Sequence, residues 1–175
     1  LTLLWIGAAA VTAVTLSGTV VRESVTPLDV AHLGINTVLD RTATTLVRTL
    51  TSLRESGVDV VGITVAPPGI IDYDTGTLRF APNLGWRSVP LVAELTGRLG
   101  PGTPPIRLEN DAKLAALAEY DHLARDGVRD LLYLSGEVGV GAGIIADGRL
   151  VRGWSGFSGE VGHLPLDPSM SPCNC

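Results

Sequence analysis

The chain has 175 residues, a mass of 18.2 kDa and a net charge of −5. That length supports one sizeable core or two small lobes, and the acidic balance argues against a nucleic-acid-binding module in this segment. Apolar residues make up 45% and charged ones 18%, which excludes disorder as the dominant state. The two cysteines, Cys173 and Cys175, stand too close together to staple a fold, so a disulfide framework is not expected. The start at Leu1 and the stop at Cys175 read as the ends of a fragment.

The first 21 residues carry no charge. A signal peptide needs a basic stretch before its apolar run, and a membrane span would be more uniformly apolar than this glycine- and threonine-broken segment. Strands at 3–6 and 11–16, followed by a hairpin signal at Ser17-Gly18 and a strand from Thr19, explain it better. Thr26-Pro27-Leu28-Asp29 reads as a helix start, since Thr caps, Pro suits the first turn and Asp favours the positive end. Apolar spacing from Ile35 to Leu53 predicts a helix closed by Gly57. Val58 to Val65 reads as a buried strand, and Pro67-Pro68-Gly69 forces a loop.

A turn at Asp74-Thr75-Gly76 precedes a strand over 77–80, and Leu91, Val92, Leu95 and Leu99 line a second helix. Residues 105–108 read as a strand running into a third helix, with Leu114, Leu117 and Ala118 expected inward. Strands at 131–134 and 138–145 follow, the second rich in glycine, and Asp147-Gly148 makes a hairpin turn. This alternation indicates an α/β fold. We expect a first α/β lobe over 1–128 and the start of a second over 129–175.

Four constellations could carry chemistry. Glu109-Asn110-Asp111 stands where a strand end becomes a helix start, a place where carboxylates face ligands in α/β folds. A carboxylate there can accept a hydroxyl proton, although Asp111 could equally be a helix N-cap. Residues 81–86 read Ala-Pro-Asn-Leu-Gly-Trp, a turn holding Asn83 and an aromatic. Residues 136–143 are glycine-rich but lack the dinucleotide spacing, and Glu137 would repel a polyphosphate. Close backbone packing inside a sheet is the alternative. Gly159-Glu160-Val161-Gly162-His163 precedes Cys173-Asn174-Cys175, and one imidazole with two thiols suits zinc, with one ligand of a closed site wanting. His32 and His122 read as ordinary surface or packing residues.

Taken in order, these motifs resemble the ROK family of repressors, open reading frames and sugar kinases. The resemblance rests on Pro-Gly-Ile-Ile-Asp at 68–72, the Asn83 turn, Glu-Asn-Asp-Ala at 109–112, the glycine strand, Gly-Glu-Val-Gly-His at 159–163 and Cys-Asn-Cys at 173–175. It implies an actin-like ATPase (ribonuclease H-like) fold with two lobes around a cleft, the second lobe truncated here. It further implies sugar contacts at Gly69, Asn83, Asn110, Asp111, Glu160 and His163. In kinases of the family the residue matching Asp111 is the base for the sugar hydroxyl. His163, Cys173 and Cys175 match structural zinc ligands.

Two departures weaken ATP-Mg²⁺ binding. Family kinases carry a D-x-G-x-T-like phosphate loop near the first hairpin, where residues 6–12 here offer no carboxylate for Mg²⁺ and no glycine pair. Their second phosphate loop reads Gly-Thr-Gly, where this chain has Gly136-Glu137-Val138. The resemblance therefore implies the sugar-sensing effector domain of a cytoplasmic transcriptional regulator. It would contact DNA through a winged helix-turn-helix preceding this segment and work as a homo-oligomer. The alternative is a sugar kinase with Asp111 as base.

Overall fold

A computed structural model describes residues 2–4, 8–30, 32–136 and 139–164. The chain divides into two compact units, Leu1–Glu109 and Asn110–Cys175.

The first unit is built on a five-stranded sheet of order β3-β2-β1-β4-β8. Its strands are β1 (Thr2–Leu4), β2 (Ala8–Val14), β3 (Val20–Pro27), β4 (Ile63–Ala66) and β8 (Ile106–Leu108). β1, β2 and β3 form an antiparallel meander, while β4 runs parallel to both β1 and β8. The β2–β3 turn closes with Thr15 N–H donating to the Thr19 carbonyl at 2.9 Å, as the Ser17-Gly18 signal predicts.

Helix α1 starts later than Thr26-Pro27 suggests. Pro27 ends β3 opposite Ala8, and α1 spans Ile35–Glu55 behind an extended Gly34. β3 is an edge strand, where a residue without an N–H is tolerated. Leu28 and Val30 are then drawn into the core. Val38, Leu39, Thr42, Ala43, Leu46 and Leu53 form the buried stripe of α1, the three-and-four spacing of a helix face. The helix ends in a Schellman arrangement: Val58 N–H donates to the Leu53 carbonyl and Gly57 N–H to that of Arg54. The strand expected over 58–65 forms only from Ile63. Its neighbour β8 begins at Ile106, after two prolines that offer no ladder N–H, so 58–62 has no partner there.

A second sheet of order β5-β6-β7 comprises β5 (Ile70–Asp72), β6 (Thr77–Ala81) and β7 (Trp86–Val89). Arg79 binds Asp72 across its hairpin at 2.7 Å and 3.2 Å, and this guanidinium holds the Asp72 carboxyl below the ordinary carboxylate range. Helix α2 (Leu91–Leu99) follows, with Leu91 and Leu95 fully buried. One apolar cluster joins α1, α2, β4 and the second sheet, including Val65, Ile71, Leu78 and Trp86.

The second unit has helix α3 (Asp111–Leu123) packed on an antiparallel sheet of order β11-β10-β9. These strands are β9 (Leu131–Gly136), β10 (Val140–Ala146) and β11 (Arg149–Leu150). α3 groups with the strands that follow it, so the boundary between units lies at 109/110, against the 128/129 read from sequence. The residues of α3 that turn inward are Ala112, Lys113 and Ala116; Leu114 and Leu117 are half-buried and Ala118 is exposed. The reason is the glycine strand. A Cβ on Gly143 would lie 2.2 Å from the Ala116 Cβ, and one on Gly141 would lie 3.0 Å from that of Ala112. Small side chains meet bare backbone, so the helix approaches more closely than leucines would allow. This supports the packing reading of the glycines. Among the described residues no helix is long and apolar enough to cross a membrane.

Candidate functional site

In the second unit the site starts at the head of α3. Asn110 is extended (φ −67°, ψ 142°), and its Oδ1 accepts from Lys113 N–H at 3.1 Å. Asn110, and not Asp111, is therefore the N-cap. Asp111 occupies the first helical position, with Oδ1 accepting from Ala112 N–H at 2.8 Å. Its charge is favoured there by the positive helix end. Asp111 is half-buried, and its bond to Ala112 N–H fixes the direction of its carboxylate.

Glu160 and His163 belong to the loop after β11. Glu160 Oε2 lies 3.9 Å from His163 Nε2, and the two side chains are 38% and 50% exposed. A turn of 3-10 helix over Val161–His163 brings them together. A carboxylate acceptor beside an imidazole suits a group that both donates and accepts, as a hydroxyl does.

The loop is shaped by glycine and seated on its neighbours. Gly153, Gly156 and Gly159 adopt φ values of 72°, 82° and 89°. A Cβ on Gly159 would lie 2.2 Å from the Ala142 carbonyl oxygen, and one on Gly162 would lie 2.9 Å from that of Val140. Lys113 ties the loop to α3: its Nζ donates to the Gly156 carbonyl at 2.7 Å, and the side chain is only 3% exposed. Reading the sequence missed Lys113. Its one signal there is a lysine flanked by the small residues of an inward helix face.

In the first unit, Gly69 adopts φ 108°, and a Cβ would sit 2.2 Å from the Phe80 carbonyl oxygen. Only glycine fits this approach of the loop to β6. Asn83 is exposed in the 3-10 turn Pro82–Leu84, which Gly85 closes at φ 68°. Leu84 and Trp86 anchor that turn in the core, leaving Asn83 to face solvent. Glu109 is buried at 5% exposure and accepts from Tyr73 Oη at 2.7 Å. Tyr73→Phe removes that donor from a buried carboxylate. We expect it to lower unfolding stability by about 1–3 kcal/mol in urea melts; an unchanged midpoint would contradict this.

Cys173 and Cys175 lie outside the described residues, as do Glu137 and residues 5–7 of the first hairpin. Among the described residues no group of three or more metal-ligating side chains assembles. His32 lies on the surface, as read, and bonds Asp29 at 2.8 Å.

Residues 10–175 match the ROK family. A glucokinase of Halalkalibacterium halodurans is 38% identical over 134 residues, which is 76% of this chain and 40% of that protein. A xylose repressor of Caldicellulosiruptor bescii is 40% identical over 116 residues, which is 66% of this chain and 28% of that protein. Thus the chain spans less than half the length of these relatives. Among solved structures, a ROK family transcriptional regulator described as a homologue of the E. coli MLC protein superposes with a TM-score of 0.82. It is 26% identical, and the match covers 99% of this chain and 43% of that one. A Streptomyces griseus ROK glucokinase in complex with glucose and AMPPNP gives a TM-score of 0.77 at 27% identity, covering 95% and 50%.

Proposed function

This chain belongs to the ROK family, with the family's actin-like α/β fold, and from that premise we propose that it is the sugar-sensing effector domain of a transcriptional regulator. The observation that carries the choice is the uncharged first 21 residues, with Glu23 the first carboxylate of the chain. Phosphoryl transfer rests almost wholly on positioning phosphates and Mg²⁺, and a first hairpin without a carboxylate holds Mg²⁺ poorly. The sugar-facing set is intact by comparison. Asn110, Asp111, Glu160 and His163 supply acceptors and donors for hydroxyls within one unit. Gly69 and Asn83, in the other unit, rest on the resemblance alone.

Sugar binding to this set favours one arrangement of the regulator over another. The differential affinity then sets how far DNA binding shifts. DNA is contacted by a winged helix-turn-helix preceding this segment, in a homo-oligomer. A structural zinc is part of the same reading. The imidazole of His163 and the thiolates of Cys173 and Cys175 are a donor set suited to that ion, which would cross-link the loop after Glu160 to the chain beyond it.

A kinase remains the second reading because Asp111 is kept and a glucokinase is 38% identical. In that case Asp111 takes the proton of the attacking sugar hydroxyl. Titration calorimetry on the full-length protein decides between them. We expect heat from a hexose or N-acetylhexosamine and none from ATP-Mg²⁺. Sugar-dependent ATP turnover that disappears in Asp111→Asn would overturn the sensor reading.

A further inference from the structure

Lysine is among the residues least often fully buried, because an ammonium loses its hydration inside a protein and must be compensated there. Lys113 is nevertheless 3% exposed, and its Nζ donates to the Gly156 carbonyl at 2.7 Å. The two residues joined are separated by 43 positions. On one side of the bond stands the first turn of α3, with the Asn110 cap and Asp111 two residues before Lys113. On the other stands the loop bearing Glu160 and His163. Gly159 and Gly162 press this loop against β10, but those are contacts of bare backbone. The lysine adds a directional, charge-assisted bond, stronger than a neutral one.

We propose that Lys113 is a positioning residue that sets the spacing between the Asn110–Asp111 pair and the Glu160–His163 pair, so that the four act as one sugar cradle. This rests on the sugar-binding reading above. Its chemistry is specific: the Lys113 side chain is buried, and its ammonium donates to a main-chain carbonyl. A methionine of similar length keeps the packing and loses the bond.

The test uses the full-length protein and two variants, Lys113→Met and Lys113→Gln. Hydrogen exchange of the peptide spanning 152–164 should accelerate at least tenfold in either variant, with exchange of α1 unchanged. Affinity for the sugar found by calorimetry should fall 10- to 100-fold. A merely structural lysine would lower affinity independently of the loop residues. We therefore expect the loss in Lys113→Met combined with His163→Gln to be smaller than the product of the separate losses. Wild-type exchange and affinity in a folded variant would overturn the proposal, and so would losses that simply multiply. Failure of both variants to fold would also overturn it, by making Lys113 a residue of the fold. If the unmutated protein binds neither hexoses nor N-acetylhexosamines, the sensor reading fails. Unchanged exchange at 152–164 would then overturn the positioning role separately, and accelerated exchange would support the tether on its own.

Discussion

Gly143→Ala is expected to destabilise the second unit by about 1–3 kcal/mol, the usual cost of overpacking a tight site. Its Cβ would fall 2.2 Å from the Ala116 Cβ and 2.9 Å from the Ala112 carbonyl oxygen. Neither neighbour is the free end of a long side chain, so relief requires α3 to move away from β10. Such a shift would carry Asn110, Asp111 and Lys113 with it, since all three sit at the head of that helix. The effect therefore reaches the candidate site as well as the fold. Ala116→Gly opens the space directly. On its own it costs about 0.5–1 kcal/mol through helix propensity. In the double variant the two changes should offset one another, with a favourable coupling of about 1 kcal/mol or more between contacting residues. Urea unfolding of the four proteins in this cycle checks it. Strict additivity would mean that β10 and α3 are not in the contact described.

The second large effect is at the head of α3, where two adjacent polar residues have separable roles. Asp111→Asn removes a charge and leaves the side chain the same shape. A hydrogen bond to a charged group contributes about 1.5–3 kcal/mol, so sugar affinity should fall about 10-fold to 100-fold. The Asn110 cap is untouched by this change, so thermal unfolding should move only by the loss of charge at the helix end, about 0.3–1 kcal/mol. Asn110→Ala should lower sugar affinity and stability together, because the Oδ1 bond to Lys113 N–H is lost. Loss of such a cap costs about 1 kcal/mol. Calorimetry paired with thermal melts distinguishes the two. If Asp111→Asn destabilises by clearly more than Asn110→Ala, the Asp111 carboxylate, and not the Asn110 cap, is the main support of the helix end. Sugar affinity unchanged in both variants would remove this turn from the site.

Much of the architecture was legible in the chain because local rules governed it. The stripe from Val38 to Leu53 has helical spacing, and Gly57 supplies the left-handed closing residue. Gly69, Gly85 and Gly148 stand where the backbone takes positive φ, a conformation that favours glycine. These features depend on residues a few positions apart. The motifs from 68–72 to 159–163 pointed to the ROK family for a related reason: their residue types and order survive without knowledge of where each lies in space.

Other outcomes depended on partners far along the chain. Pro27 carries a local helix-start signal, yet it ends the edge strand β3 because Ala8 of β2 lies across from it. Val58–Gly62 has strand composition but no ladder partner on β8, whose start is set by Pro104 and Pro105. The inward face of α3 was decided by Gly141 and Gly143, which admit alanines and exclude leucines. Periodicity selects Leu114 and Leu117 because it counts apolarity and cannot see the surface the helix must meet. Lys113 shows the same limit most sharply. By itself the sequence determined which elements form, where glycine turns them and which family the chain joins, since propensity, periodicity and motif order are local properties. Tertiary structure alone decided that a lysine is buried, because a carbonyl that accepts from its Nζ arrives from a loop 43 residues away.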